Sequence, residues 1–247
     1  ILWTEAESIS PSFSLKVYTS IKEKEIVGMA SVDIDPYSGI ELQINHAIRI
    51  ASSSQNKYWK QLKPVRKKYL EVITADKRIL ADPQKVLDKL EQKVCKIILK
   101  LKGVTVNSAE FFINKSYITR VTNTGIETKK EKSDVYFEIA MEQAGKENNQ
   151  EVHNYSTSVN VDDLNLEDFI KSSAEETLGL AETKEPETKE NCIVIVNEEA
   201  ISSFMLAIRS QLSCAMEYLQ YPYLNYGDKI GNINFTLDPF LPAMSES

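Results

Sequence analysis

Hydrophobic and polar positions change period several times along the chain, and each change marks an element. Residues 13–19 and 26–34 carry β-type apolar runs on either side of Lys22-Glu23-Lys24-Glu25, which predicts a hairpin with a solvated tip. Asp35-Pro36-Tyr37-Ser38-Gly39 reads as a turn. From residue 40 to 53 the apolar positions Ile40, Ile44, Ala47, Ile48 and Ala51 fall at helical spacing, with His46 beside the stripe. The segment 57–70 is basic and holds Tyr58, Trp59 and Tyr69; it reads as a connecting surface anchored by Trp59, with a phosphate-binding patch as the alternative. A short strand is expected over residues 70–73.

The strongest helix signal opens at Asp82-Pro83, an N-cap acid followed by proline in the first turn. Val86, Leu87, Leu90, Val94, Ile97, Ile98 and Leu101 then line one face, lysines crowd the C-terminal half, and Gly103 ends the run. Residues 104–159 predict a meander of antiparallel strands. Val104 to Ile113 leads to Tyr117–Val121, Asn123 and Gly125 supply a structural turn with Gly125 at positive φ, and Val135, Phe137, Ile139 and Met141 alternate strictly with more polar neighbours. A solvated loop at 145–150 precedes a Ser/Thr/Asn-rich strand over 152–161, on which His153 reads as a surface histidine. Asp162 or Asp163 is expected to cap a helix reaching about Ala181. The charged run Glu182–Glu190 is a linker, Ile193–Val196 a buried strand, 198–219 a helix, and Ile233–Leu237 a last strand.

This order predicts an α+β fold: an antiparallel or mixed sheet with packed helices in an N-terminal domain over 1–182, a charged linker over 183–190, and the start of a second β-rich domain over 191–247. The chain opens on Ile1 and not Met, so a fragment or processed product is expected.

The 247 residues are 42% hydrophobic, enough for a real core, and 36 acidic against 29 basic residues give a net charge of -7. Such a field repels polyanions, so nucleic acid and anionic membrane are poor partners. No apolar run is long enough for a membrane helix, the start lacks the pattern of a signal peptide, and Cys95, Cys192 and Cys214 form no CxxC pair. A reducing cytoplasm with free thiols is the expected location.

Candidate chemistry is sparse. The eight glycines make no phosphate-binding loop and no cofactor is expected. The pairs Asp162/Asp163, Glu175/Glu176 and Glu198/Glu199 sit near expected helix starts and fit capping better than acid–base work. His46 and His153 are the only histidines, too far apart in sequence to form a local zinc motif, so neither a metal site nor a catalytic residue is assigned. Tyr218, Tyr221, Tyr223 and Tyr226 cluster around Pro222 and Gly227. Tyr221, Tyr223 and Tyr226 are candidate contacts for a partner or peptide, the alternative being that these rings cover the end of the fold.

Four stretches together carry a family likeness: Gly28 to Ala51; Ser108-Ala109-Glu110-Phe111 with Thr119 to Gly125; Ile193 to Leu219; and Tyr226-Gly227-Asp228-Lys229-Ile230-Gly231 leading to Phe235-Thr236-Leu237-Asp238-Pro239. Their order resembles the TldD/PmbA family, also called modulator of DNA gyrase. In its metal-binding branch the helix after the buried strand carries His-Glu-x-x-x-His. The matching positions here are Met205 to Ser210, none a ligand. The chain thus resembles the PmbA/TldE branch that lacks the metal motif. That resemblance implies a homodimer, or a heterodimer with a metal-bearing relative, in a two-subunit metallopeptidase acting on peptides. It departs from the family in lacking the N-terminal helical stretch before Ile1 and the long β-rich portion beyond Pro242. Two rivals are an interaction or scaffold protein that has lost the peptidase context, and an enzyme using Cys214 or a metal site completed across a dimer.

Overall fold

The computed structural model of the chain describes residues 5–21, 26–54, 72–145, 150–180, 183–185, 187–188, 190–191, 193–213, 216, 227–229 and 231. The described residues form an α+β fold and fall into two compact units, one drawn from Ile1–Lys68 and Val121–Ile126, the other from Tyr69–Arg120 and Glu127–Ser247.

In the first unit, β1 (Ser14–Ile21) and β2 (Ile26–Asp33) form an antiparallel hairpin in the register Ser14↔Asp33 to Ile21↔Ile26. The turn after it is stapled by side chains: Asp35 Oδ1 accepts from Tyr37 N at 2.9 Å, and Gln43 both accepts from Asp35 N and donates to Asp35 O, each at 2.9 Å. Helix α1 (Ile40–Ser53) packs back on the hairpin. The helical period is as expected, but only Ala47 and Ala51 of the stripe are buried, whereas Ile40, Ile44 and Ile48 stay exposed. Small residues face the hairpin because the backbones come close. A Cβ at Gly28 would overlap the carbonyl oxygen of Ala51 and lie 2.6 Å from that of Ser54.

The second unit begins with α2 (Lys77–Ala81) and α3 (Pro83–Ile98). Asp82 caps α3 by accepting from Lys85 N at 2.9 Å, and Pro83 occupies the first turn, where no N–H is missed. A three-stranded sheet follows in the order β3 (Val104–Val121), β4 (Glu127–Gln143), β5 (Val152–Ser158), then a 3-10 turn at Val161–Leu164, α4 (Leu166–Gly179) and α5 (Glu198–Gln211). Strands β3 and β4 meet through a tight turn in which Gly125 N donates to Thr122 O at 3.1 Å, Thr122 N donates to Ile126 O at 2.9 Å, and Gly125 has φ +82°. A left-handed residue closing such a turn is a common feature of short hairpin connections.

One face of the sheet is the core. Val135, Phe137, Ile139 and Met141 of β4 pack with Val86, Leu90, Val94 and Ile97 of α3 and with Leu166, Ile170 and Ala174 of α4. Burying each such large side chain contributes about 1.5–3 kcal/mol. Phe111 of β3 stacks on Phe137 with centroids 4.5 Å apart, and Phe169 of α4 meets the same ring edge-on at 5.9 Å.

Several expectations are corrected. Ile193, Val194 and Ile195 are extended but in no strand and are 97%, 71% and 94% exposed, so this run is not a buried strand. Helix α4 is not capped by Asp162 or Asp163, which lie in the 3-10 turn; its N-cap is Asn165, left-handed at φ +42°. Residues 72–73 form no strand, β3 is one long strand instead of two, and α2 was not anticipated. The expected helix 198–219 is described over Glu198–Gln211. The segment 57–70, Cys192, Cys214 and the strand expected over 233–237 lie outside the described residues.

Candidate functional site

The face of the sheet opposite the core is assembled by alternation. On β4, Val135, Phe137, Ile139 and Met141 point inward, so Asp134, Tyr136, Glu138 and Glu142 point the other way. The register Glu138↔Tyr155 and Ala140↔His153 places Tyr155 and His153 of β5 beside them. On β3, Ala109, Phe111 and Ile113 pack on the core, leaving Glu110, Phe112 and Asn114 on the open side. Asn114 Nδ2 donates to Asp134 Oδ2 at 2.9 Å, which ties the two strands on that face.

The centre of this face is an aromatic and acidic cluster. Tyr136 stacks on Tyr155 with centroids 5.6 Å apart and 19° between planes, and Phe112 meets Tyr136 edge-on at 5.8 Å. The Tyr136 hydroxyl donates to Glu138 Oε2 at 2.8 Å. That bond pushes the phenol above its ordinary pKa, with burial and the Glu138 charge adding to the effect, so it remains a protonated donor at neutral pH. His153 Nε2 lies 3.7 Å from the same carboxylate oxygen, an ion pair when the ring is protonated. Glu138 and His153 offer two ligand atoms, one fewer than a catalytic zinc takes from protein. Composition did not reveal the cluster: His153 read as an isolated surface residue, and the signal lay in the strand pairing that sets Tyr155 beside Glu138.

A second polar constellation is structural. Asp76, 5% exposed, caps α2 by accepting from Arg78 N at 2.8 Å. It also accepts from the Arg78 guanidinium at 2.6–3.1 Å and from Val161 N at 3.2 Å. Arg78 Nη1 reaches on to Asp162 at 3.0 Å. The guanidinium holds the Asp76 carboxyl below its ordinary pKa against the opposing effect of burial, and the backbone N–H groups of Arg78 and Val161 reinforce it.

Tyr221, Tyr223 and Tyr226 lie outside the described residues. Asn123 and Gly125 sit in the β3–β4 turn and carry no reactive group. Met205 and Ser210 lie on α5, with Asn197 capping that helix by accepting from Ala200 N at 2.9 Å. His46 is exposed on α1 and borders shallow surface depressions with Leu42, Gln43, Arg49 and Ile50. Cys95 is a free thiol, partly buried on α3. Among the described residues no helix is long and apolar enough to cross a membrane.

No family model matches the chain. No curated protein matches it either. Among solved structures it is similar to TldE from Thermococcus kodakarensis, at 17% identity and a TM-score of 0.48, over 63% of this chain and 35% of that one. The chain thus spans about a third of the length of that structure.

Proposed function

We propose that this chain is a TldD/PmbA-like subunit without a metal site of its own, taking part in the proteolysis of peptides through a metal-bearing partner in the cytoplasm. The observation that carries this reading is the chemistry of α5. At the positions where the resemblance puts His-Glu-x-x-x-His, the helix presents Met205 and Ser210, and neither side chain is a zinc ligand of the usual nitrogen, thiolate or carboxylate kind. The ordered series of patterns from Gly28 to Pro239 supports the same family. In this reading Tyr221, Tyr223 and Tyr226 contact the partner or the peptide.

A second reading, a non-catalytic interaction protein, is favoured by one feature. Ile193, Val194 and Ile195, together with Ile201, Phe204 and Leu212 of the α5 region, are exposed, and large apolar side chains left in water are what a partner surface would cover.

One experiment separates the two. The chain and a TldD-type metal-bearing protein are purified apart, analysed for zinc, and assayed singly and mixed on an unstructured peptide. The proposal expects zinc on the partner alone and cleavage only in the mixture. One equivalent of zinc on the chain by itself, or cleavage by the chain by itself, overturns it. Tight association without cleavage selects the interaction reading.

A further inference from the structure

The net charge of -7 conceals a separation of charge between the two helices that cover the second unit's sheet. On α3, Lys85, Lys89, Lys93 and Lys96 follow one another along the helix, and Lys100 continues the line just past its end. At about 3.6 residues per turn these spacings keep all five lysines on one flank, while Asp88 and Glu91 fall on the other. All five are exposed, and among the described residues none forms an ion pair with a carboxylate, on α4 or elsewhere. Like charges on successive turns oppose a helix, and the packing of α3 does not call for them, because Val86, Leu90, Val94 and Ile97 bury its other side. Helix α4 has the reverse character. Glu167, Asp168, Glu175 and Glu176 are exposed on it against one lysine, Lys171, which pairs with Glu167 at 2.7 Å. Large apolar side chains lie in water at the ends of both helices: Leu99 is 76% exposed and Leu178 37%, and Leu178 lies against Gly103, in the bend that follows Leu99.

We propose that α3 and α4 form an interface with a second copy of this chain, each copy laying its α3 lysines on the α4 carboxylates of the other. The two helices share the core on one face of the sheet and pack against each other. A two-fold axis running between them therefore satisfies both helices at once. It turns Lys89 and Lys93 of one copy toward Asp168 and Glu175 of its mate, and the converse, as a closed symmetric contact requires. Leu99 and Leu178 supply the apolar part of the contact and the charges its wet rim. A second copy is the favoured occupant because it carries the complementary charges itself. A nucleic acid would meet the same lysines, but also the carboxylates of α4 beside them and the repulsion of the whole chain. Exposed ion pairs are individually weak and screened by salt, so the association is modest in strength and steep in its dependence on ionic strength. This inference rests on α3 and α4 alone and does not depend on the family reading or on a metal-bearing partner.

The test uses the full chain alone, so its result is independent of whether a metal-bearing subunit exists. Sedimentation is measured at about 0.02 M and about 0.5 M salt, between which the screening length falls from roughly 20 Å to about 4 Å. A dimer is expected at the lower salt, with an association constant at least about tenfold smaller at the higher. Two charge-reversed variants are then compared, one carrying Lys89→Glu and Lys93→Glu, the other Asp168→Lys and Glu175→Lys. Each should be monomeric at low salt, because each sets like charge against like. Mixed in equal amounts they should form a heterodimer, since the reversed α3 of one then meets the reversed α4 of the other. Circular dichroism checks that both variants are folded. A wild type that is monomeric at low salt, a dimer that persists in both variants or is indifferent to salt, or a mixture of folded variants that stays monomeric overturns the proposal. So does a monomeric wild type that binds a single-stranded oligonucleotide which the first variant loses, because the occupant is then nucleic acid. Lys89→Gln with Lys93→Gln guards against a reversal that impairs folding: it should weaken the dimer about tenfold, the scale of several exposed ion pairs, and unchanged association overturns the proposal as well.

Discussion

Replacing Asp76 by alanine removes one carboxylate and should loosen two segments at once, the start of α2 and the 3-10 turn. The side chain is 5% exposed and accepts from Arg78 N at 2.8 Å, from the Arg78 guanidinium at 2.6–3.1 Å, and from Val161 N at 3.2 Å, joining the start of α2 to the 3-10 turn. Its own backbone N–H donates to Ser133 Oγ at 2.8 Å, and Ser133 N donates to Thr74 O at 3.1 Å, so the same residue anchors residues 74–76 to β4. Loss of the cap costs about 1 kcal/mol. An unpartnered Val161 N–H costs about 1–3 kcal/mol. The bond to Arg78 adds less than its full charge-assisted value, because that side chain is 49% exposed and keeps Asp162 as a partner. These contributions overlap, and their net is a loss of about 3 kcal/mol.

The measurement is urea unfolding followed by circular dichroism at pH 7, with Asp76→Ala, Arg78→Ala and the double variant compared at a common slope. The double variant should be little worse than Asp76→Ala alone. A loss below about 1 kcal/mol for Asp76→Ala, or full additivity of the pair, refutes the assignment of this network as a structural junction. The dependence on pH follows from the same bonds. Because the folded carboxyl has its pKa lowered, chiefly by Arg78, its stabilisation is complete above the ordinary carboxylate value of about 4 and is lost as pH falls below that through the folded value. Asp76→Asn cannot titrate. Its stability deficit against the wild type should therefore be constant between about pH 5 and 7 and should shrink in more acidic solution.

Three further outcomes are expected. Gly28→Ala, which drives a methyl group into the carbonyl oxygens of Ala51 and Ser54, should cost at least about 2 kcal/mol and lower α1 helicity; full retention of the melting temperature would show that the close approach is not needed. Gly125→Val, at φ +82° in the β3–β4 turn, should cost about 1–3 kcal/mol, and an unchanged melting curve would contradict the left-handed turn. Phe137→Ala, fully buried between Phe111 and Phe169, should cost about 3–5 kcal/mol in urea unfolding; a loss near 1 kcal/mol would place that ring outside the core.

Elements whose signal is local were readable from the residues. The alternation Val135, Phe137, Ile139, Met141 fixes which face of β4 is buried, and Asp82-Pro83 fixes the start of α3, because period and cap both act over a few residues. Where competing demands meet, local signals mislead. Leu164 and Leu166 are 2% and 1% exposed, and burying both across the entry to α4 turns the chain at Asn165, one of the few residue types that tolerate positive φ, so the cap moves past Asp162 and Asp163. Ile193–Val196 has the composition of a core strand, but composition records a preference for burial and says nothing of whether a partner strand is at hand. Helix α2, five residues long, is too short to show a period. The open-face cluster was hidden for a related reason: Phe112, Tyr136, Glu138, His153 and Tyr155 come from three strands, and only the pairing between strands brings them together.

That pairing depends on a one-residue slip in β3. Val104 and Val106 pack on the core, and so do Ala109, Phe111 and Ile113, so the inward parity changes from even to odd between Val106 and Ala109. Strict alternation cannot do this, and a slip of one residue is the mark of a β-bulge. Had the even parity continued, Ser108, Glu110 and Phe112 would have faced α3 and α4, and burying the Glu110 carboxylate among Leu90, Val94 and Ile170 without a partner would have cost several kcal/mol. The slip sends Phe111 inward, where it stacks on Phe137 at 4.5 Å, and turns Phe112 outward, where it meets Tyr136 at 5.8 Å. It also delivers Glu110 to the side that already carries Asp134, Glu138 and Glu142. The step that keeps a charge out of the core is therefore the one that concentrates charge and aromatic surface on the opposite face.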